Sequence, residues 1–191
     1  FNTKELKVSY AGGTGNDFVL SMPSAIISAT YDAATGTLVV TGANLVANAG
    51  ANNDIEVSKI KLVVQGGIDT HLSTLVLTPN ANVEISGNTF TMVLTEQAKS
   101  AINPFLNKNG TVSTGGTNFY IKAEAGWLQA DPLNTDLTGN LVTVSNVAVP
   151  SITSATYNAA TGVLSLAGTN LLTLYPDKSF IANKFTLTGQ G

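Results

Sequence analysis

The 191-residue chain has no cysteine and no arginine, a single histidine and a single tryptophan. Charged residues make up 11% of it, where ordinary globular proteins carry roughly 25%. Without cysteine there is no disulfide framework and no zinc site of the thiolate kind, and one histidine cannot supply a two-histidine metal site; a Ser-His-Asp triad finds no support in the pattern either. All nine basic residues are lysines and the formal net charge is −3, so the electrostatic footprint of a nucleic-acid binder is missing. No apolar run approaches the roughly 18 residues of a membrane span. What remains is a chain that is 43% hydrophobic and must cover its surface with Asn, Thr, Ser and Gly. An exported protein that dispenses with disulfides has this style, which makes an extracellular or cell-surface location the expectation.

Against these absences stands an internal repeat. The stretch Ser28 to Leu45 returns as Ser154 to Leu171, 126 residues later, with 12 of 18 positions identical. A period of that size is too long for a solenoid coil and suits a whole domain. With one residue dropped between Leu172 and Asp177, Ser58 to Val63 lies over Asn183 to Thr188, and Gln65-Gly66 over Gln190-Gly191. At the other end, Thr14 to Ser21 resembles Thr138 to Ser145, each soon followed by a proline, Pro23 or Pro150. The expected organisation is therefore the C-terminal strands of one repeat over residues 1–23, one complete repeat over 24–150, and the N-terminal strands of another over 151–191. That order implies a slice of a longer tandem array.

Periodicity predicts strands nearly throughout. Leu6 to Tyr10 alternates apolar and polar residues, and Phe18 to Leu20 returns from a glycine-rich turn. Ile26 to Tyr31 and Thr37 to Thr41 form a hairpin, with Asp32 capping the turn and Gly36 supplying a positive φ. Ile60 to Val64, His71 to Leu77, Val83 to Ser86 and Thr89 to Leu94 continue the series, rich in β-branched residues. One segment differs. Thr95 to Ile102 has a capping Thr, an acid in the first turn and apolar residues at helical spacing, and the residue before Pro104 is pushed out of the α region, so a short helical insert is expected over about residues 95–106. A second helical turn is expected around Trp127 to Ala130. The fold class is all-β, an immunoglobulin-like β-sandwich with a barrel as the competing closure.

Candidate sites are few. Gly12-Gly13-Thr14-Gly15-Asn16-Asp17-Phe18-Val19-Leu20 fits the nonapeptide of calcium-binding β-helices at its fixed positions, making Gly13, Gly15 and Asp17 a candidate Ca²⁺ turn. The motif works in series and occurs here once, and a tight turn into a strand explains the glycines equally well. Asp54 and Glu56, beside Asn52-Asn53, offer oxygen ligands to a hard cation. The second copy reads Asp177-Lys178-Ser179 at that place, so the ligand set is not kept. Asp131 and Asp136 flank a proline turn and are read as capping and turn residues. Trp127, Tyr120 and Phe119 would suit a sugar-stacking platform, though a lone Trp beside a strand reads first as a core plug. His71 sits in an alternating strand and is read as facing solvent. No catalytic residue and no cofactor are assigned.

The motif Ser-Ala-Thr-Tyr-(Asp/Asn)-Ala-Ala-Thr-Gly, followed by an alternating strand and Gly-x-Asn-Leu, at Ser28 to Leu45 and Ser154 to Leu171, resembles the tandem bacterial immunoglobulin-like repeats of very large secreted or cell-surface proteins. The resemblance implies an extracellular, non-enzymatic module of adhesins, surface layers, biofilm matrix or surface filaments, partnered by neighbouring repeats and copies of itself. The helix-bearing insert from Thr95 to Asp136 departs from that pattern by making the repeat longer than the roughly 100 residues of the sandwich. The leading expectation is a structural repeat of an extracellular assembly. An adhesin module for a glycan or protein ligand comes next, then an accessory domain of a secreted enzyme.

Overall fold

The structure, a computed structural model, describes residues 6–12, 17–67, 69–71 and 82–171, with Thr186 and Thr188. The second-copy positions compared above between Leu172 and Gly191 lie outside these, apart from those two threonines. So do residues 72–77 of the expected strand at His71. The chain divides into two compact units, Phe1–Val147 and Ala148–Gly191.

In the first unit, β1 (Lys7–Gly12) and β2 (Asp17–Ser21) form an antiparallel pair of their own. β3 (Ala25–Asp32) and β4 (Thr37–Ala43) form the expected hairpin. There follow β5 (Ile55–Glu56), a 3-10 turn at Val57–Lys59, β6 (Ile60–Val63), a second 3-10 turn at Gln65–Gly67, and β7 (Asp69–His71). β8 (Asn82–Val83), β9 (Ile85–Ser86), β10 (Thr89–Val93), α1 (Glu96–Ile102), β11 (Tyr120–Ala123) and β12 (Asp136–Ser145) complete it. Eight strands run in the hydrogen-bonded order β7-β6-β11-β12-β3-β4-β10-β9. The fold is an all-β sandwich with one short helix.

The sandwich turns on β12, which changes partner half-way. Its first half pairs antiparallel with β11, through Ala123↔Asp136 and Tyr120↔Leu141. Its second half pairs parallel with β3, through Val142↔Ala29, Thr143↔Thr30, Val144↔Tyr31 and Ser145↔Asp32. One strand thus belongs to both layers. Alternation then fills the space between them: Leu38 and Val40 from β4, Phe90 and Met92 from β10, Ile60 and Leu62 from β6, Ile121 and Ala123 from β11, and Val142 and Val144 from β12 are all buried. Trp127 is buried at the centre, its ring centroid 6.2 Å from that of Phe90. Its indole N–H donates to Asn134 Oδ1 at 2.8 Å, and Asn134 Nδ2 donates to the Ser24 carbonyl at 3.0 Å, so the plug carries a satisfied polar handle.

Three local details differ from the expected pattern. β3 carries a bulge between Ile26 and Ser28, so that Ile26, Ala29 and Tyr31 face inward while Ile27 is exposed. An inserted residue resets the two-residue period, which periodicity alone does not reveal. The segment around Trp127 is a run of turns instead of a helical turn, because Leu128 forms a bridge with Ile55 and the Glu56 amide donates to the Trp127 carbonyl at 2.9 Å. The insert helix spans Glu96–Ile102, capped by Thr95 Oγ1 accepting from the Ala98 amide, and gives way to turns at Asn103; against expectation Asn103 keeps right-handed helical dihedrals (φ −56°, ψ −34°) before Pro104, because its amide still donates to the Lys99 carbonyl.

The second unit contains the hairpin of β13 (Ser151–Asn158) and β14 (Val163–Thr169). Its register repeats that of β3–β4 residue for residue at the 126-residue shift, including the bulge, now between Ile152 and Ser154. The turn repeats too: Gly36 and Gly162 have φ of 73° and 69°, and each amide donates to the carbonyl of Asp32 or Asn158 at 2.8 Å. Asn44 and Asn170, both left-handed, send Nδ2 to the carbonyls of Pro23 and Val149.

The bulge brings the first strand's backbone onto the glycine of the second. A Cβ at Gly42 would lie 2.8 Å from the Ala25 carbonyl oxygen and 2.8 Å from Leu45 Cδ2. Leu45 can swing away; the carbonyl is held in the hairpin. Gly42→Ala is therefore expected to cost about 1–3 kcal/mol, the range for overpacking a close-packed site, measured by urea unfolding. Wild-type stability in that variant would mean the hairpin bulge relaxes freely.

Candidate functional site

The calcium-turn residues are only partly accessible to description: Gly13 and Gly15 lie outside the described residues, and Asp17 opens β2 with Gly12 as its ladder partner. Asp54 is fully buried at the end of the loop that follows β4. One carboxylate oxygen accepts from the Asn48 amide and the other from the Ile85 amide at 2.7 Å, while its own carbonyl accepts from the Gln129 amide at 2.8 Å. Next to it, Glu84 Oε1 accepts from the Asn53 amide at 2.9 Å. Asp54 is a clamp that ties its own loop to β9 and to the turn after Trp127. Both oxygens are occupied by backbone donors. Glu56 caps the Val57–Lys59 turn through the Ser58 amide. Among the described residues, no three His, Cys, Asp or Glu come together as a metal-holding group.

The remaining candidates also resolve into framework. Asp136 is buried, accepting from the Ile26 amide at 2.8 Å through one oxygen and from the Thr138 hydroxyl at 2.7 Å through the other. That bond extends the β3–β12 contact beyond the ladder. Asp131 sits in a turn in which the Asn134 amide donates to its carbonyl. Asp131 thus lies in a turn, as expected, whereas Asp136 joins two strands instead of capping a turn. Trp127 and Phe119 are fully buried and so present no stacking face to a sugar. His71 lies in β7, opposite Lys61.

What stands out instead is a difference between two copies of one hairpin. In the first unit α1, β10 and β12 enclose β3–β4. The Tyr31 hydroxyl donates to Asn103 Oδ1 at 2.8 Å, and Asn103 Nδ2 donates to the Ala33 carbonyl at 2.9 Å. Burial, with the negative charges of Asp32 and Glu96 adding, pushes the Tyr31 phenol above its ordinary pKa and keeps it a neutral donor. In the second unit Tyr157 is 59% exposed where Tyr31 is 0%, and Ile152 49% where Ile26 is 3%. Every position of β13 is exposed, and β14 keeps the alternation of β4 at shallower depth. A groove of about 370 Å³ on this hairpin is lined by Thr156, Tyr157, Asn158, Thr161, Val163 and Ser165, which offer no carboxylate, amine or imidazole. The feature that sets the two copies apart is thus a surface of sheet and edge. The sequence signal for it was the repeat, not any motif.

Neither a scan against protein-family models nor searches of curated proteins and of solved structures finds a match to this chain.

Three outcomes follow. The Thr35 amide, then the Asn146 side chain, hold the exposed Asp32 carboxyl below its ordinary pKa. A carboxylate with a depressed folded-state pKa contributes stability that is complete above about pH 4 and fades as the pH falls through the folded value. Asp32→Asn, which copies the residue at 158, should be less stable than wild type at pH 7, with the gap narrowing as the pH falls below the ordinary carboxylate range; thermal melts across that range read it, and a gap independent of pH would remove the electrostatic account. Asp54→Ala leaves two backbone donors without their acceptor and should cost about 1–3 kcal/mol for each amide left unsatisfied. Because those oxygens are already engaged, chelator should leave the wild-type melting midpoint in place, and a downward shift would put a cation on the chain.

Proposed function

We propose that the chain is a non-enzymatic structural repeat of an extracellular assembly, a surface filament, stalk, surface layer or matrix, built by stacking and self-association of β-domains. The kinship favoured is with the tandem immunoglobulin-like repeats of very large bacterial surface proteins. The observation that carries this reading is the second hairpin, a copy of β3–β4 in sequence, register, bulge and turn, as a tandem array of like β-domains requires. A sheet with open faces and edges is a template for further strands. A chain with 11% charged residues and no arginine offers little like-charge repulsion to oppose such contacts. The short connector Asn146 to Pro150 leaves little slack between successive units.

Electron microscopy and light scattering of the purified chain at rising concentration provide the test. Particles that lengthen with concentration into rods or filaments of regular spacing are expected. A monodisperse monomer across the accessible range would overturn the reading.

A further inference from the structure

The sequence contains one Asn-Gly dipeptide, Asn109-Gly110, in the segment between α1 and β11. This is the most labile neighbour an asparagine can have. Glycine has no Cβ to keep its backbone nitrogen away from the carboxamide before it, so that nitrogen can attack Cγ and close a five-membered ring. The fold nevertheless uses both residues. Gly110 has a φ of 104°, where an L side chain is strained. Asn109 Oδ1 accepts from the Val147 amide at 2.9 Å and so holds the chain where it leaves β12. Asn109 itself is exposed, within reach of water and hydroxide.

Both reacting groups are engaged in the folded unit. Gly110 forms an isolated antiparallel bridge with Val144: its amide donates to the Val144 carbonyl at 2.8 Å, and its carbonyl accepts from the Val144 amide at 2.8 Å. An amide must lose its proton to act as a nucleophile, and donation to a carbonyl favours the protonated form. The bond to Val147 meanwhile holds the carboxamide. One further tie keeps this end of β12 in place, the Asn146 Nδ2 donating to Asp32 Oδ2 at 2.7 Å. The dipeptide is thus labile by its chemistry and guarded by the end of one strand.

We infer that Asn109-Gly110 is a covalent modification site, an imide-forming pair that β12 keeps latent and that reacts when the end of that strand lifts. In the open state hydroxide takes the Gly110 amide proton, and the nitrogen attacks Asn109 Cγ. The N–Cγ bond forms, the Cγ–Nδ2 bond breaks, and ammonia leaves with a proton from water, which restores the hydroxide. Water then opens the succinimide at one of its two carbonyls. Addition at Cγ gives aspartate, and addition at the main-chain carbonyl of residue 109 gives isoaspartate. Aspartate keeps an acceptor for the Val147 amide. Isoaspartate routes the main chain through Cγ and lengthens it by one carbon, so Gly110 no longer meets Val144 in register and the strand does not close as before. The site turns a transient opening into a permanent change at the last strand of the unit, at a rate set by how often that strand is open.

The test incubates the full 191-residue chain at mildly alkaline pH, with and without guanidinium chloride. Isoaspartate is located by peptide mass spectrometry and quantified by enzymatic methylation of the denatured products. In guanidinium, residue 109 should convert ahead of every other asparagine. In buffer alone its conversion should be slower by about tenfold or more, because only the open fraction reacts. Asn109→Gln, whose longer side chain would have to close a six-membered ring, should remove the signal. Asn146→Gly keeps the positive φ of that position and removes the tie to Asp32. It should raise the rate in buffer about threefold or more, with the fluorescence of buried Trp127 showing that the unit is still folded. Equal rates at 109 with and without guanidinium, no conversion there in guanidinium, or a folded Asn146→Gly chain converting at the wild-type rate would each overturn the inference. Should Asn146→Gly not fold, the wild-type comparison decides alone.

Discussion

The parallel ladder between β12 and β3 is the constraint on which the first unit depends. It joins the last strand of the unit to the opening hairpin of the eight-stranded sheet, carries the chain from one layer to the other, and covers an edge that would otherwise expose a row of amides and carbonyls. The bonds themselves contribute modestly, since each exchanges water for protein. Their larger effect is positional. They hold Val142 and Val144 against the inner face beside Ala29 and Tyr31, and the Asp136 carboxylate and the Ser145 carbonyl lengthen the seam at either end through Ile26 and Ala33. The second unit displays the same hairpin in the absence of that seam among the described residues, and its Tyr157 and Ile152 stand in solvent.

Much of this architecture was legible because its causes are local. The turn at Asp32 to Gly36 is written in a side chain that accepts from the Ala34 and Thr35 amides and in a glycine with positive φ. The capped helix from Thr95 and the alternating strands at Thr37 and Thr89 follow equally from neighbours in sequence. What was not legible depends on contacts between distant residues. The bulge at Ile27, the division of β12 between two partners, and the turns around Trp127 are settled by what approaches from elsewhere. Asp54 illustrates the same limit at the level of a site. In sequence it is an acid among asparagines, suited to a cation; in the fold, the amides of Asn48 and Ile85 take both oxygens. Trp127 was readable as a plug because a lone Trp beside a strand usually fills a core; that Asn134 satisfies its indole N–H is settled by the fold.

The surface follows from the same economy of charge. Natural sheet proteins guard open edges with lysines, prolines or inward-pointing charges. Here β13 and β14 contain no charged residue and no proline over their whole length. A strand pair of that composition is unprotected against addition, which is a liability in a freely diffusing protein and an asset in a polymer.

The length of the β3–β12 seam along the chain has a consequence for how the protein is made. Ile26 and Asp136, which meet through a hydrogen bond, are 110 residues apart. Contacts of such separation slow folding, because the loop must close before the contact rewards it. During synthesis the β3–β4 hairpin therefore waits, its apolar face uncovered, until β12 arrives.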